Sequence, residues 1–175
     1  MMKIIKKKPQ WDPKKALKVS NTVNLMADMI VKDIKDGITK HSEDIHGRNF
    51  APLSPNTIAS KQKKGYPLKP LLAEGKMKEV YVRRMASKTK PEAIIGINKR
   101  DRLLVSGVHQ EGTASYIISA KRAKMLAFET AGGTVFKKSV RHSGVPQREW
   151  FGFSKRVKPK LKRLVQKMLN RELRI

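Results

Sequence analysis

The feature that most constrains this chain is a run of seven apolar residues near its start: Leu17, Val19, Val23, Met26, Ile30, Ile34 and Ile38. They recur mostly at three- and four-residue intervals, which gathers them on one face of an α-helix. Lys14, Lys15, Lys18, Lys32 and Lys35 lie elsewhere around the cylinder, so one stripe must be buried against another element. Asp12 and Pro13 supply a start, a carboxylate to cap free N–H groups and a proline for the first turn. Gly37 is expected near a frayed end. The same spacing returns over Ser154 to Leu173, in Val157, Leu161, Leu164, Val165, Met168, Leu169 and Leu173. Pro159 sits in the first turns of that second helix, so regular helix is expected to begin near it.

Between these helices the chain changes character. Gly47, Pro52, Pro55, Gly65, Pro67 and Pro70 punctuate residues 46–70, which predicts loop, with Ser54 or Asn56 capping a short helix from Thr57 to Lys63. Leu71 to Val80 reads as a brief helix or turn. Val80–Val82 and Ala93–Ile97 are short and β-branched, which predicts adjacent antiparallel strands. Leu103, Leu104, Val105 and Val108 favour a short helix over Asp101–Glu111 that Gly112 ends, and Tyr116–Ile118 is a further strand. Met125–Phe128 and Thr134–Phe136 flank Ala131, Gly132 and Gly133, whose glycines can take the positive φ of a hairpin turn. The order predicts an α+β fold: an antiparallel sheet with a projecting hairpin, packed by long N- and C-terminal helices. Residues 1–10 are expected to form a basic flexible arm and residues 11–175 a single domain, which a chain of 175 residues can supply with a modest core.

Composition then limits the partner. Forty Lys and Arg stand against 14 Asp and Glu, a formal charge of +26, which attracts polyanions or acidic protein surfaces. Cysteine is absent, which removes disulfides, thiolate metal sites and cysteine nucleophiles, and fits synthesis in a reducing cytoplasm. The basic N-terminus has only Ile4 and Ile5 where a signal peptide needs a longer apolar run. No stretch approaches the ~20 apolar residues of a membrane span. No membrane partner is expected.

Catalytic and metal motifs are also missing. His41, His46, His109 and His142 form no H-E-x-x-H pair, and His109 with Glu111 reads as a half-buried histidine at a helix end. Neither Ser54 nor Ser154 lies in G-x-S-x-G, and no phosphate-binding glycine loop is present. No enzyme activity, cofactor or metal is therefore expected. Nucleic-acid binding is the open alternative, because Lys155, Arg156, Lys158, Lys160, Lys162, Arg163, Lys167, Arg171 and Arg174 surround the apolar stripe of the last helix. The same cations would equally suit an acidic neighbouring protein. Trp150, Phe151 and Phe153, which precede that helix, are expected to anchor it in the core.

One ordered series is more specific. Gly47-Arg48-Asn49-Phe50-Ala51-Pro52-Leu53-Ser54-Pro55-Asn56-Thr57 is followed by Lys61 and Lys63, by Leu71-Leu72-Ala73-Glu74-Gly75-Lys76-Met77, by Ile94-Ile95-Gly96, by His109-Gln110-Glu111-Gly112 and by Val145-Pro146-Gln147-Arg148-Glu149-Trp150-Phe151-Gly152-Phe153-Ser154. The series resembles the phage virion morphogenesis, or tail-completion, family, and shares much with the siphophage neck and tail-component family. Glu74 stands where a threonine is usual, and Gln147 and Glu149-Trp150 also depart from the pattern. The resemblance implies a structural virion protein that completes the tail or joins it to the head as a ring, with a hexamer expected. Its implied partners are copies of itself and tail-tube, terminator and connector proteins; contact with packaged DNA is a further expectation that rests on the basic charge. Phe50, Pro52, Leu53, Gly132, Gly133, Arg148 and Trp150 are the candidate residues for subunit or partner contact. Arg148 is expected to anchor through a multi-donor contact to a carboxylate or to carbonyls, within the fold or across subunits.

Overall fold

The structure is a computed structural model that describes residues 13–173 apart from 98, 99, 122 and 131. The arm expected at residues 1–10, the cap expected at Asp12 and Ala131 of the hairpin turn lie outside the described residues.

The first helix, α1 (Pro13–Asp36), carries the apolar stripe as its spacing requires, with Ala27, Ile30 and Ile34 buried. It does not fray at Gly37. Residues Gly37–His41 continue it as a π-helical turn, in which Ile38 is fully buried. The turn stops at Ser42, which takes a left-handed φ of 56° and donates its N–H to the Gly37 carbonyl. A Cβ at Gly37 would lie 2.7 Å from the Arg156 guanidinium, so a larger residue there would push that side chain aside.

The loop region contains the short helix α2 (Pro55–Lys63), capped by Ser54, whose hydroxyl accepts the Thr57 N–H at 3.3 Å. Strands β1 (Val80–Arg84) and β2 (Ile94–Ile97) pair antiparallel, with Val80 opposite Ile97 and a register shift between Val82 and Arg84. They pack on α1. Asn24 of α1 fastens the end of β1 like a strand edge: its side-chain amide donates to the Ala86 carbonyl at 3.1 Å and accepts the Ala86 N–H at 2.6 Å.

Helix α3 (Arg100–Glu111) ends at Gly112, whose φ is +72°. A side chain there would also meet the Gln147 backbone at 2.9 Å, so this glycine serves both the turn and a close approach of two chain segments. After it, β3 (Tyr116–Ser119) pairs with β6 (Ser139–His142), and inside that pair β4 (Leu126–Thr130) pairs with β5 (Gly133–Lys137). The Ala120 N–H donates to the Lys138 carbonyl at 3.0 Å and carries the first ladder one step further. The two pairings are thus nested along one antiparallel ribbon, with an insertion on its outgoing side. The described strands form three two-stranded sheets in place of one larger sheet.

The last helix, α4 (Lys158–Leu173), begins beside Pro159 and packs on α1 through Leu161. It begins where Pro159 led one to expect, and residues 154–157 form the turn that caps it. Phe50 and Trp150 from loops join Ile30, Ile34, Ile38, Val80, Val157 and Leu161 in one core. Burying each large aliphatic side chain in it contributes about 1.5–3 kcal/mol. Phe153 does not share this burial: it is more than half exposed, and only Trp150 and Phe151 anchor the helix entry.

Candidate interaction site

The segments singled out in the sequence converge on a buried polar knot. Arg148 is 6% exposed, and its guanidinium donates to the Ala51 carbonyl from Nη2 at 3.0 Å and Nε at 3.2 Å, and to the Pro52 carbonyl at 3.3 Å. Its backbone N–H donates to the His109 carbonyl at 2.7 Å. The anchor expected of Arg148 is therefore made within the fold, to carbonyls. Gln110, next along α3, accepts the N–H groups of Trp150 at 3.2 Å and Phe151 at 3.1 Å and returns a bond to the Phe151 carbonyl at 3.2 Å. One side-chain amide thus satisfies three backbone groups of a segment that has no strand partner.

A second buried cation supports the same region. Lys61 of α2 spends all three ammonium protons on the carbonyls of Pro67, Lys69 and Leu72, at 2.9, 2.7 and 2.6 Å. Burial, and the nearby Arg148 charge, pull its pKa below the ordinary lysine value. His109 is likewise held below its ordinary value by burial and by Arg148, so it is neutral near pH 7. A cavity of about 300 Å³ lies among Leu53, Lys61, Leu72, Met77, His109 and Arg148.

The other end of the knot joins α1 to α4. The Ser154 hydroxyl donates to Asp33 Oδ2 at 2.5 Å and accepts the N–H groups of Arg156 and Val157, each at 3.1 Å. Arg156 bridges Asp33 at 3.2 Å and Glu43 at 2.9 Å. Asp44 takes the N–H groups of His46 and Arg48 and the Arg48 guanidinium; burial works against its charge, but those hydrogen bonds hold its carboxyl below the usual range. Glu149 closes on His46. These groups bind backbone and one another, and such an arrangement fixes loops.

The expected contact residues divide into two sets. Phe50, Arg148 and Trp150 are buried within the protomer. Pro52, Gly132 and Gly133 are exposed and Leu53 is half-buried. The structural roles of Lys61, Gln110 and the Ser154–Asp33 pair had no sequence reading. Gln110 and Lys61 both stood in the quoted series, but Lys61 is one of 40 basic residues and nothing in the sequence marks it for burial.

The ribbon exposes several apolar side chains. Ile117 is 69% exposed and Phe136 60%, and Tyr116, Ile118 and Met125 are also exposed. Tyr116 and Ile118 share one face with His142 and Val140, while Ile117 points to the other, opposite Arg141. Tyr116 stacks on His142 at 4.9 Å. At the far end, Thr130, Gly133 and Thr134 face α2 across a cleft of about 300 Å³. On α3, Leu104 is 75% exposed beside Val105 and Val108.

The sequence model of the phage virion morphogenesis family matches residues 14–170, from the first turn of α1 to the last turns of α4. The chain belongs to that family. No curated protein and no solved structure matches it. As a member of the phage virion morphogenesis family it is a virion-associated protein with a structural role in phage assembly, and the family is not an enzyme class. Among the described residues no three of His, Asp and Glu gather in an arrangement that could hold a metal ion. No described helix is long and apolar enough to cross a membrane.

Proposed function

We propose that this protein is a neck or tail-completion subunit of a tailed phage, which closes the tail or joins it to the head as part of a ring. The observation that carries the reading is the ribbon from Tyr116 to His142, which exposes apolar side chains on both faces. A lone two-stranded ribbon is marginal in water, and exposed apolar strands with free edges bind other chains. The partner supplies the stability that the ribbon lacks. Leu104, Val105 and Val108 of α3 add apolar surface, as do Pro52 and Leu53 on the loop held by Arg148. Gly132 and Gly133 let the ribbon turn at its tip. Phe50, Arg148 and Trp150 act one step back, by fixing that loop and the entry to α4.

In this reading the subunits contact one another in a ring, with six copies as the expected number, and dock on tail-tube, terminator and connector proteins. Negative-stain imaging of the purified full chain tests it: closed rings are expected, and a monomer at every concentration would count against it. Deleting residues 131–134 is expected to leave the protomer folded and impair its incorporation into particles.

A further inference from the structure

We infer that the outward face of α4 is a track for the phosphate backbone of duplex DNA. This goes beyond the assembly role and stands or falls separately from it. Helix α4 turns Leu161 into the core and leaves Leu164, Val165 and Met168 half-buried beside it. Away from that side, Lys160, Arg163, Lys167 and Arg171 follow at intervals of three, four and four residues, so they fall in one line. At 1.5 Å per residue the line is ~16 Å long. Lys158 and Lys162 stand on the other flank, Lys155 lies in the turn just before the helix, and all seven side chains are exposed. Between the flanks stand Gln166 and Asn170, hydrogen-bonded to each other at 3.2 Å.

None of the seven cations has an acidic partner among the described residues. Arg156, just before the helix, shows the contrast: it is committed to Asp33 and Glu43 and belongs to the fold. The track is therefore surplus positive charge, held at regular spacing by a helix that the core fixes in place.

The composition of the face decides between DNA and an acidic protein. Protein interfaces centre on aromatic and aliphatic side chains and are depleted in lysine. The outward face of α4 carries these cations with Gln166, Asn170 and Pro159, and Leu169 on its flank is 42% exposed, whereas the most exposed apolar side chains, Leu104, Ile117 and Phe136, lie on α3 and the ribbon. A phosphate backbone needs no apolar complement. Duplex DNA presents about one charge per 1.7 Å of axis, so flexible lysines find phosphates along the whole line without reading sequence.

The test is binding of a short labelled duplex of arbitrary sequence to the full-length protein across a salt series. One variant changes Lys160, Arg163, Lys167 and Arg171 each to Gln; its control changes the exposed Lys88, Lys90, Lys121 and Lys138 each to Gln, with the same loss of charge. Lys, Arg and Gln have similar helix propensities, so α4 stays formed. The native protein is expected to bind with a steep salt dependence. The α4 variant should lose more than tenfold in affinity, and its log–log salt slope should fall by up to about 3–4, at roughly 0.9 per phosphate contact. A second variant with only Lys160→Gln and Lys167→Gln should lose about half of that slope, and it serves as the readout if the fourfold variant does not fold. Equal losses in the α4 and control variants overturn the proposal, as does absence of salt-dependent binding. Displacement of DNA by polyglutamate at equal charge concentration also overturns it, in favour of an acidic protein partner.

Discussion

The knot around Arg148 and the ribbon from Tyr116 to His142 are neighbours in sequence and opposites in construction. In the knot, Arg148 and Lys61 donate to backbone carbonyls and Gln110 both donates to a carbonyl and accepts two backbone N–H groups, so chain that is neither helix nor strand is made rigid. In the ribbon the backbone is paired strand to strand, yet Ile117 and Phe136 have most of their surface in water. The knot is finished within one protomer. In the proposed role, a partner covers the ribbon. A protein whose work is assembly needs both: one region that holds its shape before contact, and one that gains stability only on contact.

The comparison breaks first at Arg148. Replacing it with Met should destabilise the protomer by about 3 kcal/mol, because the Ala51 and Pro52 carbonyls lose their buried donors. Urea unfolding measures this, and a loss below about 1 kcal/mol would mean that the knot is no more binding than the ribbon. Ser154→Ala is the next step down, expected to cost about 1–2 kcal/mol as the cap of α4 and the tie to Asp33 disappear together.

His109 sharpens the contrast through pH. Its folded pKa lies below the ordinary 6.5, so the unfolded chain binds the proton more readily. Its contribution is full above 6.5 and is lost as pH falls through 6.5 towards the folded value. Melting temperature should therefore drop between pH 7 and pH 5, and His109→Gln should flatten that part of the profile. The ribbon contains His142, for which the same substitution gives a comparison inside the other region.

The smallest effect on stability belongs to the ribbon. Changing Ile117 and Phe136 to Ser should alter the unfolding free energy of the protomer by no more than about 0.5 kcal/mol each, the usual range for surface positions.

Much of this division was legible in the sequence, though unevenly. The stripe from Leu17 to Ile38 predicted α1 because local spacing suffices for an amphipathic helix, and Gly112 ended α3 for the local reason that glycine tolerates its φ. The hairpin was legible from its glycines. Strand β6 was missed, since Ser139-Val140-Arg141-His142 has one aliphatic residue in four and its partner β3 lies across the intervening hairpin. The π-turn over Gly37–His41 was also missed, because it sits against Arg156, over a hundred residues away in the chain. The candidate site divides in the same way. Arg148 could be named as an anchor, but not which carbonyls it reaches; Trp150 was legible as a core anchor ahead of α4, whereas the burial of Phe50 was not. Burial through long-range packing is what a single sequence does not display.

The most direct measurement is particle incorporation of the Ile117→Ser, Phe136→Ser double variant, supplied as the sole source of the protein during phage assembly, with its melting temperature taken in parallel. A protomer that melts like the native one but is missing from finished particles is the expected result. Normal incorporation at native yield would contradict the account, because the ribbon would then have no partner to meet.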